Sequence, residues 1–141
     1  KNPYSERDIP LHSVLVDRLG FVWYVNHLKK QGKDRVFWEL PKRGEVYHKN
    51  VGRFFNDKYL RKIGLKEGRR KIFFHSFRHS VETLLTNKNV NPRFIDFLQG
   101  HSQKGMGGNV YMKGITIDVL LNECVEKINW DVEWEKLKVK W

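Results

Sequence analysis

HSFRHSVETLLTNKNVNPRFIDFLQGHSQKGMGGNVY, residues 75–111, is the stretch on which the reading of the chain turns. Phe77, Val81, Leu84 and Leu85 recur at the helical period. A first helix is therefore expected to bury Phe77 and Leu84 and to turn His75, Arg78 and His79 away from that stripe. The two imidazoles and the guanidinium then sit in a first turn whose unpaired N–H groups and dipole favour an anion. Arg78 adds a planar fork of donors that matches two phosphate oxygens.

A second helix follows. Asn91 suits the N-cap, Pro92 the first helical position, and Phe94, Ile95 and Leu98 the buried face. Gly100 is a stop signal, which leaves His101 just past a helix end. The glycines between Gly105 and Gly108 permit mobility and close backbone approach ahead of Tyr111, whose phenol is a plausible nucleophile for covalent catalysis.

His75-Ser-Phe-Arg78-His79, then Phe97-Leu-Gln-Gly-His101-Ser102, then Val110-Tyr111 resembles the tyrosine recombinases, the phage-integrase family. That family carries H-x-x-R, later L-G-H, and then a tyrosine a short way on. Order and spacing agree here, and the likeness spans roughly residues 1–128. Ser76 stands where the family often has Asp, and Gln99 where a small or aliphatic residue usually precedes Gly-His.

Charge points the same way. The net charge is +11, and residues 114–141 hold four Lys against six acidic residues, so residues 1–113 carry +13. Such an excess is the footprint of a nucleic-acid binder, although a merely soluble basic surface would share it. At 141 residues there is room for a single domain, 1–141, with one core. Cys124 is the lone cysteine, which excludes an internal disulfide and suits a reducing compartment. No apolar run is long enough for a membrane span and no signal peptide is visible.

Around the central stretch the expected elements are mainly helical. Lys1–Leu11 reads as extended; Val14–Lys30 reads as a helix weakened by Gly20; Arg35–Leu40, RVFWEL, reads as a strand ended by Pro41. Val46–Ile63 reads as a helix whose polar positions include Lys49, Arg53, Lys58, Arg61 and Lys62. Arg53 and Lys49 are candidates to follow a DNA backbone, and Arg69, Arg70 and Lys71, just before His75, are candidates for phosphate contacts near the site. Ile72-Phe73-Phe74 is expected against the core, and Thr116–Ile128 forms an amphipathic helix.

The resemblance implies an α+β fold, mainly α with a small β-hairpin, that of the DNA breaking-rejoining catalytic domains, here truncated at its N-terminus. In the family a hairpin ends in a run like Ser5-Glu-Arg7-Asp-Ile9-Pro10-Leu11 and a catalytic lysine lies shortly before it, which maps to Lys1. The family's first arginine lies further upstream, so this piece of the recombinase is expected to cleave little by itself. The remaining catalytic residues implied are Tyr111 as nucleophile, Arg78, His75 and His101. Tyr111 would attack a backbone phosphate, form a 3′-phosphotyrosyl link and release a 5′-hydroxyl. Arg78 and His101 would meet the charge on the non-bridging oxygens, while His75 and a lysine handle protons.

No cofactor is implied. A zinc site at His75, His79 and His101 is disfavoured because the glutamate of H-E-x-x-H is missing and Arg78 would repel a cation. The partners implied are double-stranded DNA and, on it, three further copies of the protein in a tetramer. The tail of residues 115–141, with Trp134, Leu137 and Trp141, is expected to pack on a neighbouring protomer or on its own core. The setting implied is the cytoplasm of a prokaryotic cell or of the host of its phage or mobile element. Two other readings share these residues: a non-catalytic DNA-binding module of the same fold, and a type IB topoisomerase.

Overall fold

Gly20 divides what the sequence suggests is one helix. Its φ of +66° is left-handed, a conformation that side chains with a Cβ resist. Before it lies a wide, π-type turn at Val14–Arg18, closed by Leu19 N–H donating to Val14 O at 2.9 Å; after it comes α1, Phe21–Lys30. The computed structural model describes residues 7–42, 44, 47, 49–66, 72–101 and 115–137, and all that follows concerns these.

Arg35–Leu40 is a run of turns rather than the expected strand. A strand needs a partner for its backbone ladder, whatever its β-propensity. Here Leu40 N–H donates to Phe37 O at 3.2 Å, Tyr24 Oη donates to Val36 O at 3.1 Å, and Lys33 Nζ lies 3.7 Å from the centre of a Trp38 ring. No strand occurs among the described residues, so the β part of the expected α+β fold is not present in them. The hairpin placed ahead of Ile9 falls largely on residues 1–6, outside the described residues.

The helix expected over residues 46–63 runs as α2 (Lys49–Arg53), a π-type segment (Phe54–Tyr59) and α3 (Leu60–Lys62). Then come α4 (Ser76–Asn87), α5 (Pro92–Gln99) and α6 (Ile117–Glu123), with short 3-10 turns at Val125–Lys127 and Trp134–Leu137. Asn91 caps α5 as its sequence suggests, its side chain accepting from Arg93 N–H at 3.0 Å, and Thr116 caps α6 by accepting from Val119 N–H at 3.3 Å.

The chain divides into two compact units, residues 1–22 with 81–141, and residues 23–80. The first buries Leu85, Val90, Ile95, Leu120, Cys124 and Val125 together, with Val81, Phe94, Leu98 and Ile128 packed around them. Burial pushes the Cys124 thiol up to about 11, which leaves it protonated and inert at neutral pH. Glu126 ties this unit's distant parts together. Its carboxylate accepts from Ser13 N–H at 2.7 Å and from Ser13 Oγ at 2.8 Å, and His12 Nε2 lies 3.7 Å away. Trp134 is half-buried and its 3-10 turn contacts the Val14–Arg18 turn. In the second unit the buried side chains are Leu28 and Leu60.

Candidate functional site

The backbone at His75 is bent into the start of α4 by an unusually full set of hydrogen bonds. Ser76 N–H donates to Phe73 O at 2.8 Å, Phe77 N–H to Phe74 O at 3.3 Å, and Arg78 N–H to His75 O at 3.1 Å. Ser76 Oγ reaches back to accept from Phe73 N–H at 3.0 Å, one half of a capping box, the position where an acidic side chain would do the same work. Asn56 Oδ1 accepts from Phe74 N–H at 2.8 Å. The first-turn donors at Phe73, Phe74, Ser76, Phe77 and Arg78 are thus all engaged. With these five engaged, side chains have the larger part in meeting an anion at this turn.

Those side chains are placed as the helical period suggests. His75 and His79 are exposed, with rings edge to face at 5.2 Å, and Arg78 is half-buried. Phe77, expected inside, is 58% exposed, and Phe73 and Phe74 are exposed as well. The physical reason lies in what the first turn packs on. Phe77 contacts Phe55 at 5.4 Å and Phe74 at 5.9 Å between ring centres, and Phe55 meets Phe74 edge-on at 5.3 Å. The rings meet by edges and tilted faces, and so small a cluster leaves much of Phe74 and Phe77 open to solvent.

The segment that carries Phe55 and Asn56 also carries the basic row. Lys49, Arg53, Lys58, Arg61 and Lys62 are all exposed. Lys66 Nζ donates to Asn56 O at 2.7 Å and to Asp57 Oδ1 at 2.9 Å, pinning the segment's end. The hydrogen bond and charge of Lys66 hold the Asp57 carboxyl below its ordinary value against a small desolvation cost, and Arg61 and Arg53 add to the effect.

In the other unit His101 stands exposed just past α5. Gly100, at φ +67°, turns the chain left-handed. His101 N–H then donates to Asp96 O at 2.9 Å and Gly100 N–H to Phe97 O at 3.0 Å, a Schellman closure. His101 Nδ1 lies 3.3 Å from Asp96 Oδ1, and Arg7 Nη2 donates to Leu98 O at 2.8 Å.

So the structure brings His75 and Arg78 onto one helical turn and sets Lys49 and Arg53 on an exposed basic segment within the same unit, whereas His101 belongs to the other. Tyr111, Lys1, Arg69, Arg70 and Lys71 lie outside the described residues. Asn56, Asp96 and Arg7 are contacts that sequence reasoning missed. Asp96 was findable, since a glycine stop folds the residue after it back over the one four positions before that glycine. Asn56 and Arg7 act across 18 and 91 residues, where no local pattern signals them. A polar cleft of about 700 Å³ at His12, Arg18, Glu126 and Trp130 and an apolar groove of about 520 Å³ at Val36, Phe37, Tyr47 and Phe74 hold none of the candidate catalytic side chains among the described residues. Among the described residues no three His, Cys, Asp or Glu side chains gather as a metal site requires, and no helix is long and apolar enough to cross a membrane.

No curated protein and no solved structure matches the chain. The model of the phage integrase family, however, matches residues 4–114, most of the length and all of the stretch from His75 to Tyr111. The chain belongs to the phage integrase family, the tyrosine recombinases.

Proposed function

We propose that the recombinase to which this chain belongs breaks and rejoins DNA at a specific site through a 3′-phosphotyrosyl link at Tyr111, with little cleavage by the 141 residues on their own. The observation that carries the reading is the ordered set His75, Arg78, His101 and Tyr111 inside the family match, with the first two side chains on one well-fixed turn. Membership of the family supports site-specific recombination as the general activity.

In the reaction the Tyr111 oxygen bonds to phosphorus and the bond to the 5′ oxygen breaks. The phenol proton goes to a base and the leaving oxygen receives one; His75, exposed beside Arg78, and a lysine, for which Lys1 is the candidate, take these parts. Arg78 and His101 donate to the non-bridging oxygens as charge builds there. Half-burial holds Arg78 more firmly than an exposed position would, so less order must be acquired during reaction. Lys49 and Arg53, together with Arg69, Arg70 and Lys71, meet the phosphate backbone and make binding fall steeply with salt. Four protomers act together on the DNA.

The test is a nicked suicide substrate that traps the covalent intermediate, offered to the full-length recombinase. Denaturant-stable protein–DNA product should form, vanish in Tyr111→Phe, and drop by about 10²–10³ in Arg78→Ala. Recombination that persists unchanged in Tyr111→Phe would overturn the assignment in favour of a DNA-binding role. Relaxation of supercoils without a partner site would favour a topoisomerase.

A further inference from the structure

We propose that Asp96 and Arg7 are positioning residues that hold His101 in one orientation, a proposal that rests on His101 acting at the phosphate. Three contacts converge on the end of α5. The backbone of His101 is closed onto Asp96 O at 2.9 Å, which fixes where its Cα lies. Its ring nitrogen Nδ1 lies 3.3 Å from Asp96 Oδ1. A carboxylate only accepts hydrogen bonds, so Nδ1 carries the proton and Nε2 is the ring atom left to meet a ligand. The ring then donates through Nε2 whenever it carries the second proton. This is the usual arrangement by which a carboxylate settles the tautomer and tilt of a working imidazole.

Arg7 fixes the frame on which that pair is mounted. Its guanidinium caps the last turn of α5 through Leu98 O, where a cation also suits the helix dipole. It lies flat against Gly100, and a Cβ there would sit 2.6 Å from Arg7 Nη1 and 2.8 Å from Cζ. Glycine is favoured at position 100 by its φ of +67°, and a Cβ there would also push the Arg7 guanidinium off its place. Both residues act through His101 and neither is assigned a contact with DNA.

Nitrogen-15 NMR of the His101 ring in the 141-residue chain tests the orientation directly. The Nδ1–H tautomer should dominate in the parent, and Asp96→Ala should shift the ring toward the Nε2–H form that free imidazole side chains prefer. An unchanged tautomer in Asp96→Ala, with the amide spectrum otherwise retained, overturns the role of Asp96. For Arg7 the measurement is a double-mutant cycle: Gly100→Ala should destabilise less in an Arg7→Ala background than in the parent, because one of its two penalties is gone. Strict additivity overturns the close approach, and His101 ring nitrogen signals left unchanged by Arg7→Ala overturn its part in placing His101. Asp96→Ala should also slow covalent product formation by roughly tenfold to a hundredfold with DNA affinity kept. Full cleavage by His101→Ala would instead sink the reading of His101 itself, while leaving the tautomer result standing.

Discussion

Around His101 the chain buries Leu85, Val90, Ile95, Leu120, Cys124 and Val125 in one cluster, and α5 lays Ile95 directly into it. Around His75 the support is of another kind. Among the described residues of 23–80, Leu28 and Leu60 are buried while Phe37, Trp23, Phe54, Phe73, Phe74 and Phe77 are exposed. One imidazole hangs from an apolar core, and the other from a ring cluster and a few hydrogen bonds. A core resists through the bulk it would lose, whereas a polar clasp resists only as long as each partner is present.

Core truncation should separate the two most sharply. Leu85 is 0% exposed and Leu60 1%, so exposure alone predicts equal costs. Leu85 belongs to a cluster with five other buried side chains, whereas Leu60, among the described residues, belongs to no such cluster. Leu85→Ala should cost about 3–5 kcal/mol and Leu60→Ala nearer 2 kcal/mol by urea unfolding, because the cavity term depends on how far neighbours relax. Equal costs would erase the contrast between the two units.

A smaller effect should show where the polar clasp is cut. Asn56→Ala removes the acceptor for Phe74 N–H and should cost about 1 kcal/mol. Its signature is local: the Phe74 amide should exchange with solvent roughly fivefold faster while amides in α5 stay as they were. Asn56→Asp keeps an acceptor at the same place and should restore slow exchange. Faster exchange in both variants would mean that side-chain volume, and not the hydrogen bond, secures the turn before His75.

These contacts also mark how far the sequence could be read. Periodicity and caps located α4 and α5, because Val81, Leu85, Asn91, Pro92 and Gly100 act on neighbours within one or two turns. The order of His75, Arg78, His101 and Tyr111 carried the family for the same reason, spacing along the chain being all it needs. RVFWEL misled because strand propensity says nothing of whether an edge is available to pair with. Phe77 misled because the apolar stripe of α4 serves two different neighbours, aromatic rings at its first turn and the buried cluster beyond. Arg7 against Gly100 joins residues too far apart for any window to hold.

The mildest predicted effect belongs to the well-packed unit and asks whether any of its stability is polar. Burial works against an ionised Glu126, yet the hydrogen bonds from Ser13 Oγ and N–H, with His12 beside them, outweigh it and hold the carboxyl below its ordinary value. Glu126 therefore stays ionised in the folded chain at a pH where the unfolded chain has begun to take up the proton. Its contribution is complete above the ordinary glutamate value of about 4.3 and is lost as the pH falls through the lower folded value. Urea unfolding at pH 7 and at successively lower pH should show the parent losing up to about 1 kcal/mol that Glu126→Gln does not lose, the scale of a partly exposed charged contact. The glutamine variant should already lack that increment at pH 7. If its stability follows pH as steeply as the parent's, the ends of this unit are joined by packing alone, and the contrast with the turn before His75 is more complete than the Ser13–Glu126 contact suggests.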